Sequence, residues 1–278
     1  MMAEKIKNNL KEIHATLYRY FLKVILKIFR VFFLDKSLDY KLYGTNYGGM
    51  IIADHKSLEN SIILSAGSGE DLTFDIELIN KYQCQIILVD PTPRAIDYYE
   101  LITNNFGSNS TKNYSDKGYE LPEVYDLRKV NLNNLKLIKY ALHHEDNLDI
   151  KFFAPPIEDH VSYSITNFRS DYSENSPHII VKTKTINSII GEEDINEISL
   201  LKLDIEGAEI PVIYKMLKDK IYPYQIAVEF GDLMNKKFTK TLKFLKLVLF
   251  IIFRGYKLAN FDRYPNFLFI KKNKFYNI

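Results

Sequence analysis

Residues 200–209 read LLKLDIEGAE: an apolar run ending in Asp204, with Glu206, Gly207 and Glu209 behind it. A short apolar run of this kind reads as a strand buried on both faces of a parallel sheet. Acids at its carboxyl end mark the sheet edge where open α/β folds bind ligands. The pattern recurs. SIILSAGSG reads as a strand ending in a Gly-rich turn, QIILVDPTP as one ending in Asp90, and YQIAVEF as one reaching Glu229.

Helical segments separate these runs. EDLTFDIELINKY, Arg94 to Asn104, TINSII, Ala208 to Lys218 and Asn235 to Phe253 read as helices. LKLIKYALHH (135–144) reads as a third strand, LDIKFFAPP as a strand beside it, and Ile179 to Thr185 as another. YKLANFD and NFLFIKK, joined by RYP, read as a terminal hairpin. Residues 40–54 contain Gly48-Gly49 and loop onto the main domain. The expectation is an α/β, Rossmann-like, mostly parallel sheet with helices on both faces and a C-terminal antiparallel β-hairpin. An N-terminal amphipathic helix precedes it, so residues 1–45 are an extension and 46–278 the main domain.

The chain has 278 residues and a net charge of +2, which gives no case for nucleic acid as a partner. Cys84 is the single cysteine, so no internal disulfide forms, as suits a reducing, cytoplasmic compartment. Its place in an apolar run reads as structural. The first apolar stretch starts late and carries charges, unlike a signal peptide. Within residues 17–34, Arg19, Lys23, Lys27 and Arg30 form a basic stripe on an otherwise apolar helix. Four charges argue against a membrane span. Two readings stay open: packing on the domain or on a second subunit in a homo-oligomer, or peripheral contact with the inner face of an anionic membrane.

Candidate site residues follow from the strand ends. Ala66, Gly67 and Gly69 sit in SAGSGED, where glycines let a backbone approach a ligand. Leu72 stands where the third Gly of a GxGxxG pyrophosphate loop would be, which disfavours NAD or FAD. Asp90, followed by Pro91, either accepts the hydroxyls of an adenosine ribose or simply forms a turn. Asp204 faces the sheet edge. Glu206 serves either the site or the positive end of the helix that follows, and Glu209 reads as structural. Glu229 approaches Asp204 if their strands are neighbours. The two acids could act as a base, orient a hydroxyl or hold a divalent metal, which strand ends alone do not specify. Ala141, in the third strand, is a cofactor-binding candidate, and His143 and His144 at that strand's end are either near a cofactor or loop histidines. Asp159 to Ser164, with His160, form a polar cluster that could line an acceptor pocket. The lysines near 236–246 read as a solvated helix face.

ILSAGSGEDLTFDIELI, CQIILVDPTPRAI, FFAPPIEDHVSYSI, TINSII, ISLLKLDIEGAEIPVI and QIAVEF, in that order, resemble the FkbM-type S-adenosylmethionine-dependent methyltransferases. The resemblance spans roughly residues 60–272, and its specific elements are DIEGAE and VDPTP. It implies a class I methyltransferase fold. By position it implies Gly67 and Gly69 in the cofactor loop, Asp90 on the ribose, Asp204 and Glu206 at the active site, and Glu229 as the acid after the fifth strand. His160 falls in the HVSYS segment and joins them as a catalytic candidate. Ser65 stands where many relatives carry an acid, and Tyr163 and Gly231 stand where a related branch carries histidines. The implied activity is O-methylation of a small-molecule or glycan acceptor, namely a sugar hydroxyl of a surface polysaccharide or glycoconjugate. The rivals are a nucleotide-cofactor oxidoreductase on a similar sheet, and a non-catalytic, membrane-docked assembly subunit that keeps the fold.

Overall fold

The computed structural model describes residues 16–18, 20–31, 34, 37–154, 163, 176–235 and 237–275. Its centre is a seven-stranded sheet. The strands are β3 (Ile62–Ala66), β4 (Gln85–Val89), β5 (Leu135–Ile138), β9 (Leu200–Leu203), β10 (Gln225–Glu229), β11 (Tyr256–Asn260) and β12 (Asn266–Lys271), in the order β11-β12-β10-β9-β3-β4-β5. The pairs from β10 to β5 are parallel, and β12 runs antiparallel to β10 and β11.

Side-chain alternation explains why the core strands are nearly all apolar. Leu64, Ile87, Val89, Leu201, Leu203, Ile226 and Val228 face one hydrophobic cluster. Ile63, Ile86, Leu88, Leu200 and Ala227 face the other. A two-residue period sends neighbours to opposite faces, and both faces are dry, so neither parity tolerates a solvated polar group.

Helices cover both faces. The first cluster takes residues from α1 (helical at 16–18 and 20–31), α4 (Ile186–Glu192), α5 (Glu209–Lys218) and α6 (Phe238–Phe253). The second takes α2 (Thr73–Tyr82), α3 (Pro93–Thr103) and the hairpin of β1 (Tyr40–Tyr43) with β2 (Met50–Ala53). Local chemistry sets the helix ends. Asp71 accepts from the Thr73 amide at 2.8 Å, Pro93 opens α3, and the Thr185 hydroxyl accepts from the Ser188 amide at 3.1 Å. A short helix, α7 (Lys272–Phe275), follows β12.

The chain order creates the crevice. From β3 it winds through α2, β4 and α3 to β5, then returns to β9 on the other side of β3 and continues to β10. The two strands at the reversal, β3 and β9, pair directly, so their carboxyl ends open one ligand crevice.

Four elements differ from the sequence expectation. Residues 40–54, read as a loop, form the β1–β2 hairpin. The third strand leaves the main sheet at Ile138, and β6 (Ala141–Leu142) joins a separate three-stranded sheet. LDIKFFAPP does not pair beside β5. Its strand β7 (Asp149–Phe153) pairs antiparallel with β8 (His178–Lys184). α6 begins at Phe238 rather than Asn235, because a 3-10 turn over Gly231–Asn235 comes first. Strand periodicity names a face but no partner, so pairing was not legible locally.

Candidate functional site

The carboxyl ends of β3, β4, β9 and β10 meet in a cleft of about 270 Å³. Gly67 makes the crossing of β3 and β9 feasible. Its φ is +82°, and a Cβ there would lie 1.8 Å from the Asp204 carbonyl oxygen. The Asp204 amide donates to the Ala66 carbonyl at 3.0 Å, so the two strand ends are sewn together at the point of approach. Gly69 also has positive φ, at 52°.

Asp90 organises this loop. One carboxylate oxygen accepts from the Ser68 and Gly69 amides at 3.1 Å each. The other accepts from the Thr92 amide at 2.9 Å and the Thr92 hydroxyl at 2.6 Å. Those four donors occupy about as many acceptor positions as a carboxylate offers. The turn role of Asp90 is therefore present, and a ribose would share its oxygens with these donors.

The start of α2 is closed to phosphate. The Leu72 amide donates to the Tyr125 hydroxyl at 3.1 Å, and the Thr73 amide is taken by Asp71. Glu70 and Asp71 add negative charge at the same place, and Glu70 is held by both ends of Arg94 at 2.9 and 2.7 Å. A pyrophosphate needs free amides at such a turn, and here those of Ser68, Gly69, Asp71, Leu72 and Thr73 already have acceptors.

The acids stand opposite this loop. Asp204, Glu206 and Glu229 all line the cleft, and Lys202 beside them is buried. Burial holds the Asp204 carboxyl well above the usual range, with the Glu229 and Glu206 charges adding to the rise and Lys202 opposing it. Burial likewise raises Glu229, followed by repulsion from Glu206. Lys202 reaches the Gly67 carbonyl at 3.4 Å and lies 5.3 Å from the Phe74 ring centre. Asp75 is buried near it, its carboxyl raised chiefly by burial. One cation therefore ties the glycine loop to both acid groups.

Glu206 and Glu209 divide their work differently from a simple helix start. Glu206 has φ 51° and Gly207 φ 100°, a left-handed pair that turns the chain from β9 toward α5. Glu206 thus lies outside the first turn and on the cleft wall. Glu209 opens α5 and accepts from the Gly207 amide at 2.9 Å. Burial pushes the Glu209 carboxyl up to about 8.

That shift carries a stability prediction. The unfolded carboxyl titrates near 4.5 and the folded one near 8, so between these values the folded state holds the extra proton. Unfolding free energy is expected to fall as pH rises through that window, and Glu209→Gln to remove on the order of a few kcal/mol of the fall. Urea midpoints at the two ends of the window check this. A slope unchanged in the variant would remove Glu209 as its source.

Of the sequence candidates, Gly67, Gly69, Asp90, Pro91, Ala141, Asp204, Glu206 and Glu229 line this one cleft. Ala66 is buried at the end of β3 and acts through its carbonyl. His160 lies outside the described residues, as does the rest of 159–164 except Tyr163, which lines the cleft. The His143 and His144 rings lie 4.1 Å apart, tilted by 41°, and neither lines the cleft; His144 pairs with Glu145 at 3.2 Å. Cys84 is buried and its thiol is pushed up to about 12, an unreactive setting. Among the described residues, no three His, Cys, Asp or Glu side chains are placed to hold a metal.

Sequence reasoning missed Lys202, Phe152, Tyr47 and Gly48, all of which line the cleft. Lys202 did leave a signal, as the one charge inside an otherwise apolar strand. Phe152 and the Tyr47-Gly48 turn reach the cleft only through tertiary pairing.

A family model described as the methyltransferase FkbM domain matches residues 69–258, more than half of the chain. No curated protein and no solved structure matches it.

Proposed function

The chain belongs to the FkbM methyltransferase family, and from that premise we propose that it is an S-adenosylmethionine-dependent O-methyltransferase acting on a sugar hydroxyl of a surface polysaccharide or glycoconjugate. The observation that carries the reading is the meeting of the Gly67–Gly69 loop, Asp90 and the Asp204–Glu229 acids in one cleft at a topological switch point. The strand order, with its antiparallel β11–β12 edge, suits a class I methyltransferase fold.

The cleft fits such a cofactor on two counts. Its acids outnumber its buried cation, which favours a positively charged ligand. Its α2 start rejects phosphate, which counts against the oxidoreductase alternative. When bound, the cofactor supplies an electrophilic methyl group on a cationic sulfur. Asp90 and the glycine loop would hold the adenosine end. Asp204, raised by burial, would take the acceptor hydroxyl's proton once ionised, and Glu229 and Glu206 would orient that hydroxyl. Lys202 tempers the repulsion that ionised acids would otherwise feel. Holding both reactants in line can contribute roughly 7–11 kcal/mol. The lone Cys84 suits action in the cytoplasm.

Calorimetry with S-adenosylmethionine and with NAD tests the cofactor, and a screen of sugar nucleotides and glycans for methyl transfer tests the acceptor. Binding of neither cofactor would refute the enzyme reading and favour an assembly subunit. Asp90→Ala is expected to weaken S-adenosylmethionine binding more than about tenfold, from loss of the loop's anchor and of a hydroxyl acceptor together. An unchanged dissociation constant would refute the assignment.

A further inference from the structure

α1 is partitioned into three stripes. Tyr18, Ile25 and Phe29 are buried, with Phe21 and Leu26 packed partly beside them. They seat the helix against α6: the Tyr18 and Phe238 rings are 5.4 Å apart, the Phe29 and Phe244 rings 6.3 Å apart, and the Tyr18 hydroxyl lies 3.0 Å from that of Thr241. This is the packing on the domain that the sequence left open. It does not use up the apolar surface of the helix.

A second stripe of Leu17, Tyr20, Val24, Ile28 and Val31 recurs at helical spacing and faces solvent, with Leu17, Tyr20 and Val31 59%, 72% and 67% exposed. Single exposed apolar residues are ordinary, but an aligned row of five is an interaction surface. The third stripe, between the other two, carries Lys23, Lys27 and Arg30, all exposed. α6 beside it exposes Leu242, Leu249, Lys243 and Lys246. Neither residues 14–34 nor 236–260 contain an Asp or Glu. Arg30 reaches Asp262 at 3.2 Å, while Lys23, Lys27, Lys243 and Lys246 find no carboxylate among the described residues.

We propose that the Leu17–Val31 stripe of α1, with its flanking lysines, docks on the interface of an anionic lipid bilayer. The apolar row suits insertion at the headgroup boundary, and the adjoining cations suit acidic headgroups. Charge decides against a second copy of the chain. A two-fold contact through this face would bring lysine stripes together with no acid among the described residues of α1 or α6 to meet them. No helix among the described residues is long and apolar enough to cross a membrane, so the contact is peripheral. The Arg30–Asp262 pair ties α1 to the loop entering β12, whose Asn266 pairs with Glu229. The docking helix thus sits at the sheet edge that carries the cleft.

The test is sedimentation of the full chain with phosphatidylcholine vesicles, with and without phosphatidylglycerol. Binding is expected with the anionic vesicles, weakening as salt rises. Tyr20→Ser/Ile28→Ser/Val31→Ser is expected to reduce partitioning at least about tenfold. Lys23→Gln/Lys27→Gln is expected to weaken it and flatten its salt dependence. These residues lie outside the cleft, so circular dichroism and S-adenosylmethionine binding confirm that each variant is folded. No sedimentation with anionic vesicles, or equal sedimentation of the triple variant, would overturn the proposal. So would a concentration-dependent dimer that the triple variant loses, which would assign the face to a second copy.

Discussion

Asp204→Asn is expected to lower turnover by about 10²–10⁴-fold, the usual contribution of a positioned acid–base group, while cofactor affinity changes little. The amide keeps the size of the side chain and its place in the cleft but cannot take a proton. The pH profile separates this from a general disturbance. Burial and the charges of Glu229 and Glu206 hold the Asp204 carboxyl well above its ordinary range. In the proposed mechanism the ionised form is the base, so parent activity is expected to climb as pH rises through that raised value. The variant should lose this limb. Stability should move the other way. A carboxyl raised in the folded state loses folding free energy as pH rises above its unfolded value, and an amide does not. An inactive variant at least as stable as the parent at neutral pH is therefore the expected result, read by methyl-transfer rate and thermal midpoint together. Full activity would remove Asp204 from the mechanism.

Gly67→Ala is expected to be strongly destabilising. Its Cβ would sit 1.8 Å from the Asp204 carbonyl oxygen, and its φ of +82° is already unfavourable for a side chain. β3 and β9 would have to part where they are sewn together. A cost of about 3–5 kcal/mol places it among the exceptional mutations. Loss of cofactor binding should accompany it. Gly107→Ala is the control. That residue has φ +89° with nothing within 4 Å of the added carbon, so it reports backbone strain alone, about 1–2 kcal/mol. Urea unfolding of both variants measures the difference. Equal costs would show that the crossing gives way easily.

These two positions also show what was legible. Gly67 and Asp204 were readable because an apolar run ending in a glycine turn or an acid is a local pattern with one physical reading, a buried strand delivering its end to a sheet edge. Asp90 was half readable. Its turn role is local, but the saturation of both oxygens depends on the Ser68 and Gly69 amides brought from another strand. Glu206 and Glu209 were assigned by distance from a helix start. The structure starts α5 at Glu209, one residue past the expected Ala208, so Glu209 holds the helix end, while Glu206, in a left-handed conformation, forms the wall of the cleft.

The sequence by itself determined the buried strands, the acids at their ends and the helices between them, because hydrophobic periodicity and chain-local turn chemistry are properties of neighbouring residues. Tertiary structure decided everything that needs a partner. β7 pairs with β8 and not with β5, and Lys202 points among acids from three different elements. It also set the fate of the apolar residues in α1. Sequence marked them all as greasy, but only the position of α6 divided them into a buried stripe and an exposed one. Pairing, burial and electrostatic coupling depend on distance in space, and a linear pattern does not encode that distance.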